Sequence, residues 1–253
     1  MDLHEFEKLN PEEQEKLFHQ SPFKEKGELL LHAHNPLGLA HSLSQEELYL
    51  TAKEMDREER TELMRYADGD QLIFVSDIDC WTKDRIDPAG FVLWLETLLA
   101  AGEECLLKWM NEISPEILTA GFQKVVQILK PEREYPVDEL LGDRPYFTLD
   151  ENYFILVNEE NLETIKRAIE ILYENHRGRY VALLEEVISE VDDEIEEEAF
   201  QRRAIRLAEH GFPDFETAYK IYRPITQDEF ETLRRQSNGA ADPEEIHHRV
   251  PNY

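Results

Sequence analysis

The chain has 253 residues, 27 of them basic and 56 acidic, for a formal net charge of −29. Such a surface repels nucleic acid, whose affinity for proteins comes from phosphates neutralised by Lys and Arg, and it disfavours an anionic membrane face for the same reason. Apolar residues make up 41% and charged residues 33%, which still supplies a core, so wholesale disorder is excluded while a basic partner or divalent cations stay open.

No apolar run reaches the roughly 18 residues that span a bilayer, so no membrane insertion is expected. The start, "MDLHEFEKLNPEEQEK", lacks the cationic patch and apolar core of a secretion signal. Cys80 and Cys105 sit in no C-x-x-C, and we read them as reduced, buried thiols of a cytoplasmic protein.

In chain order, helix grammar comes first. Ser44 with Glu47 forms a capping box ahead of Leu48, Thr51 and Met55. Asp56 with Glu59 repeats it ahead of Leu63 and Met64, and Asp68 or Asp70 offers a third start, so the starts lie about 12 residues apart. Asp87 caps a longer helix with Pro88 at its first position, where the missing N–H costs nothing, and Phe91, Trp94, Leu95, Leu98 and Leu99 form its apolar stripe. Gly102 separates this helix from one carrying Leu106, Leu107, Trp109 and Met110. "SPEILTAGFQKVVQILKP" then reads as a single helix bracketed by Ser114, Pro115 and Pro131. Residues 1–130 are therefore expected to be a stack of short helices, each too short to stand alone. A Pro-rich, charged link is expected over 131–143. "YFTLDENYFILV" reads as one β-hairpin turning at Asp150, Glu151 and Asn152. Helices then resume from Asn158, from about Arg179 and from Val191 to His210, with Gly211 beyond the last, followed by the short "PDFETAYKIY". The expected fold class is mainly α: stacked, superhelical, repeat-like short helices with one β-hairpin insertion. Residues 144–230 form the hairpin and a helical subdomain, and 231–253 a flexible tail.

Three stretches invite a chemical reading. "LIFVSDIDCWTKDRIDP" places Asp77 and Asp79 at the spacing of a haloacid-dehalogenase-type phosphatase, whose first Asp attacks phosphorus and whose second protonates the leaving group. Asp192 and Asp193 could supply the later magnesium pair. Yet Trp81 stands where that motif wants a small Thr or Val, and no series of βα units follows. An EF-hand begun at Asp77 fails at Thr82 and Pro88. The plainer reading is helix punctuation: Asp77 or Asp79 ends one helix, Asp84 lies in the connector and Asp87 caps the next. Second, His32 and His34 in "LLLHAHNPLGLAH" have the His-x-His spacing of an amidohydrolase metal strand, but His176 and His210 fall at helix ends, so these are read as loop histidines. Third, "EEVISEVDDEIEEE", residues 185–198, has nine acids and no base. It reads as a solvated helix face on which Glu198 pairs with Arg202, and alternatively as a cation or basic-partner site. The metal candidates are thus Asp192, Asp193, Asp77 and Asp79. No catalytic or cofactor-binding residue is assigned, and no cofactor is expected.

The segments "SLSQEELYLTAKE", "DQLIFVSDIDCWTKDRID", "YFTLDENYFI" and "EEEAFQRRAIRLAEHGFPDFETAYKIY" together resemble an uncharacterised family of bacterial domains, over about Pro36 to Thr226. That family transfers no activity. The front half is also similar to the helical N-terminal domain of MgtE magnesium transporters and to FliG motor helices. This second resemblance implies a regulatory, acidic, superhelical domain, which in MgtE helps bind Mg²⁺. The leading expectation is a non-catalytic acidic helical module for protein interaction or regulation, with a protein partner whose surface is basic. Its alternatives are a Mg²⁺-responsive regulator and a metal-dependent phosphohydrolase using Asp77 and Asp79. Oligomeric state stays open.

Overall fold

The computed structural model describes residues 3–131, 141–189, 191–213, 215–224, 226–227, 229–231 and 234. Most of the expected link, 132–140, and most of the expected tail, 235–253, lie outside the described residues. The protein is mainly α-helical. Its front half runs α1 (Leu3–Phe6), α2 (Pro11–Gln20), α3 (Phe23–Leu31), α4 (Pro36–Ser42), α5 (Gln45–Glu54), α6 (Arg57–Tyr66) and α7 (Gly69–Asp79). A two-stranded hairpin, β1 (Trp81–Thr82) and β2 (Arg85–Ile86), then leads to α8 (Pro88–Ala101), α9 (Glu103–Glu112) and α10 (Pro115–Gln123). Strands β3 (Val126–Leu129), β4 (Tyr146–Phe147) and β5 (Phe154–Val157) follow. After a single 3₁₀ turn come α11 (Leu162–Asn175), α12 (Arg177–Ser189) and α13 (Asp192–Glu209), and then α14 (Phe215–Tyr222). Among the described residues, those up to Gly211 form one compact unit and those from Phe212 onward another.

The capping boxes form as the spacing predicts. Ser44 accepts from the Glu47 amide while Glu47 reaches back to the Ser44 amide, and Asp56–Glu59 does the same. Asp68, not Asp70, caps α7, with Gln71 as its reciprocal partner. Gln71 has a second duty: its buried Nε2 donates to the Ala40 and Leu43 carbonyls, both at 2.8 Å. That fixes the open end of α4 onto α7, where an unpaired carbonyl would be costly. Helix α7 has no polar stripe, because Leu72, Ile73, Phe74 and Val75 are all buried. It runs through the core with α5 and α9 against it. Around it Phe91 meets Phe122 edge-on with ring centroids 5.4 Å apart, and Trp94 meets Trp109 at 6.3 Å. The Trp109 indole donates to Ser76 Oγ at 3.1 Å, which satisfies its one polar atom.

Two strand features depart from expectation. The helix expected to continue to Pro131 stops at Gln123, and Val126–Leu129 becomes a strand antiparallel to β5, with Val126 opposite Val157 and Leu129 opposite Phe154. The expected hairpin is present as β4–β5, but β5 is the centre of a three-stranded sheet in the order β3-β5-β4. The second departure is β1–β2, where Trp81 pairs with Ile86 and Thr82 with Arg85. The two residues between, Lys83 and Asp84, form a tight turn, and Lys83 takes φ 61°. This left-handed conformation suits the twist of a two-residue hairpin loop.

Candidate functional site

Asp77, Asp79, Asp84 and Asp87 surround the corner where α7 turns through the hairpin into α8, and each has a different environment. Asp77 lies in the last turn of α7 and is 1% exposed. Arg206 of α13 grips it through both oxygens, Nε to Oδ2 at 2.8 Å and Nη2 to Oδ1 at 2.7 Å. Burial pushes the Asp77 carboxyl up, and the Arg206 contact opposes that rise. Arg203, one turn earlier, donates to the Asp77 backbone carbonyl and lays its guanidinium over the Trp81 ring at 5.1 Å. His210 closes the same edge, with Nδ1 2.8 Å from Glu46 and its ring 4.9 Å from that of Phe74. Helix α13 is thereby clasped across α5, α7 and β1.

Asp79 ends α7 and turns the other way. It accepts from Lys53 at 2.9 Å, from the Tyr49 hydroxyl at 3.3 Å and from Arg60. Burial raises its carboxyl, but the Lys53 and Arg60 hydrogen bonds outweigh burial and hold it below the usual range. Asp84 is exposed in the β1–β2 turn. Asp87 caps α8, accepting from the Ala89 amide at 3.3 Å, while its own amide donates to the Cys80 carbonyl at 2.9 Å.

The other candidates lie on α13 and in the loops. Asp192 accepts from Lys124 at 2.8 Å, and Lys124 also reaches buried Glu196 at 2.9 Å. Glu196 accepts in turn from the Ile86 amide at 2.9 Å, so α13 also holds the hairpin from its N-terminal end. Asp193 is exposed. Arg202 pairs with Glu116 of α10 at 2.7 Å, not with Glu198 as the i,i+4 spacing suggests, because packing on α10 offers it a less exposed carboxylate. His32 and His34 stand in a turn after α3 rather than on a strand; His32 pairs with Glu7 at 3.0 Å. Among the described residues no group of three or more His, Cys, Asp or Glu side chains is placed to hold a metal ion.

The outward face of α13 has a different character. Val191, Ile205 and the neighbouring Ile188 of α12 are 57%, 63% and 42% exposed. Glu194, Glu198 and Glu209 share the Val191–Ile205 face at helical spacing and are exposed as well. Of the basic residues of α13, Arg203 and Arg206 are engaged inward, and Arg202, half exposed at the edge of this face, pairs sideways with Glu116. Sequence reading identified the acids but missed the inward arginines; the only signal was their spacing at i and i+3.

A mainly helical acidic protein, with buried Asp77 and half-buried Asp79 neutralised by its own cations, is the class that this fold and this corner define. The chain belongs to a family of unknown function, DUF6178, whose profile matches residues 3–252. No curated protein and no solved structure matches it. Among the described residues no helix is long and apolar enough to cross a membrane.

Proposed function

We propose that the protein is a non-catalytic acidic helical module that binds a protein partner through the outward face of α13, and that the partner presents a basic amphipathic segment. The observation that carries this reading is the coincidence of exposed Val191 and Ile205 with Glu194, Glu198 and Glu209 on one face. Apolar residues give a docking segment area to bury, and unpaired acids select its charge and accelerate encounter. The phosphohydrolase reading has less support, since Asp77 is buried and holds Arg206 with both oxygens, which leaves no exposed nucleophile. A Mg²⁺-responsive regulator has less support too, because Asp192 is already occupied by Lys124. A cytoplasmic site of action fits the two free, buried thiols of Cys80 and Cys105.

The test uses a synthetic Lys/Leu amphipathic helical peptide and a Lys/Ser peptide of equal charge. Tighter binding of the Lys/Leu peptide, weakened about tenfold by Ile205→Ser with Val191→Ser, is the expected result. The control Leu50→Ser, another exposed apolar side chain, should change nothing. Equal binding of both peptides, or no response to the α13 changes, overturns the reading.

A further inference from the structure

Helix α13 is held differently from the elements it lies on. Of its 18 residues only Ile195, Glu196, Ala199 and Leu207 are buried, and one of those is an acid. Helix α7, by contrast, buries eight of its eleven. Apolar area removed from water is the main favourable term in folding, and α13 has little of it to set against the entropy of ordering its chain. Phe200 adds a partly buried ring, 6.3 Å from that of Trp81.

Polar links supply the rest, and they run the length of the helix. At its N-terminal end Lys124 and the Ile86 amide hold Asp192 and Glu196. In the middle Glu116 holds Arg202. Toward the C-terminal end Asp77 holds Arg206 with its carboxylate and Arg203 with its carbonyl, and Glu46 holds His210 just beyond. The seat thus offers donors at one end and carboxylates at the other, so α13 fits it one way round. Such pairs fix position more than they add stability, because desolvation offsets much of their attraction. Several also have one partner open to water: the Asp192 and Arg202 side chains are 59% and 52% exposed. Hinges are commonly a few element-terminal residues, and α13 has exposed Val191 before it and Gly211, at φ 78°, beyond it.

We propose that α13 is a strap that lifts from α5, α7, α10 and the β1–β2 hairpin as one unit while the rest of the compact unit stays folded. Closed, it presents its acidic outward face. Open, it loses that face, because helices in proteins draw most of their stability from packing, and it uncovers Phe74, Trp81 and Asp77. The strap therefore switches the chain between two surfaces. Its meaning as a regulator of docking rests on the reading of the outward face given above. The opening itself does not, and its test contains no partner, so the two proposals fail separately.

The test is native-state hydrogen exchange of the full chain, resolved by segment over a urea series below global unfolding. Amides of α13 should exchange roughly a hundredfold faster than those of α7 and α9, with little urea dependence, since a local opening exposes little surface. Two variants separate opening from global unfolding. Ile169→Val, in α11, which packs on α8, α9 and α12, weakens the closed and open forms alike. It should speed exchange in α9 about fivefold and leave α13 unchanged. Arg206→Gln leaves Asp77 buried without its cation in the closed form alone, and opening rehydrates it, so α13 should exchange at least about tenfold faster. Melting curves establish that each variant is folded. Four results would each overturn the strap: α13 rates and urea slopes that match those of α7 and α9; rates that rise gradually toward Glu209, as in a fraying end; equal acceleration of α13 and α9 by Ile169→Val; or unchanged α13 exchange in a folded Arg206→Gln protein.

Discussion

Asp77 and Asp87 stand ten positions apart and have opposite reasons to be aspartate. Asp87 is a cap, so Asp87→Ala should lower stability by about 1 kcal/mol while Asp87→Asn stays close to wild type. Denaturant titration that finds both equally damaging would mean the charge itself matters and would reopen a metal role. Asp77 is one half of a buried ion pair. Its removal strands Arg206, which is 28% exposed and partly hydrated, so Asp77→Asn should cost about 3 kcal/mol, the low end for breaking such a pair. Asp193→Asn, on an exposed site, should stay within about 0.5 kcal/mol. Asp79 supplies a pH signature. Its folded carboxyl lies below its unfolded value of 3.8, so the folded state favours the ionised form. The stability it contributes is therefore present above about pH 4 and is lost as pH falls through the lower, folded value. The stability gap between wild type and Asp79→Asn should shrink over that acid window; a gap constant from pH 6 to pH 3 would contradict the Lys53–Asp79–Arg60 arrangement. Cys105 titrates in the other direction. Burial pushes its thiol up to about 11, so it should resist alkylation at pH 8 until the protein unfolds.

At the scale of single elements, local chemistry was readable and long-range pairing was not. Caps depend on residues one to three apart: Ser44 and Asp56 are legible from the Glu three positions on, and Asp87 from the Pro88 beside it. The strand Val126–Leu129 was missed because its apolar residues, Val125, Val126, Ile128 and Leu129, also continue a helical stripe from α10. What makes it a strand is β5, about thirty residues away, and no local pattern reports a partner at that distance. The Asp77–Arg206 clasp is hidden for the same reason, with its halves 129 positions apart. Two helical glycines show how packing decides between competing effects. Alanine is the better helix former by about 1 kcal/mol. At Gly121 of α10, however, a Cβ would lie 2.3 Å from a ring carbon of Phe91, and overpacking of that kind costs about 1–3 kcal/mol. Gly121→Ala should therefore destabilise despite its propensity. Gly178, near the start of α12, has nothing within 4 Å of such a Cβ, so Gly178→Ala should raise stability by about 0.5 kcal/mol. Thermal melts of the two variants that move in the same direction would contradict this packing.

Over the whole molecule the dominant quantity is charge. A magnitude of about 2–8 is enough to keep a small domain soluble, so −29 carries excess self-repulsion. The clasps on α13 relieve part of it: Asp77, Asp192, Glu196 and Glu116 each face a cation of the same chain. Asp193, Glu194, Glu197 and Glu198 remain exposed at the start of α13, where the helix dipole favours them but does not cancel their mutual repulsion. Two kinds of cation response can be separated here. A diffuse atmosphere depends on ionic strength alone, so NaCl matched to MgCl₂ in ionic strength should raise the melting temperature to a similar extent. A specific Mg²⁺ site saturates and is indifferent to NaCl, because a bound ligand stabilises by mass action. Mg²⁺ demands a near-octahedral cage of oxygens, and an exposed helix face with Asp192 already held by Lys124 does not offer one. The expected outcome is therefore a smooth, non-saturating rise with either salt, unchanged in Asp192→Asn/Asp193→Asn. A saturating Mg²⁺ response that NaCl cannot reproduce and that this double variant abolishes would make the acidic start of α13 a magnesium sensor and displace the interaction module as the leading function.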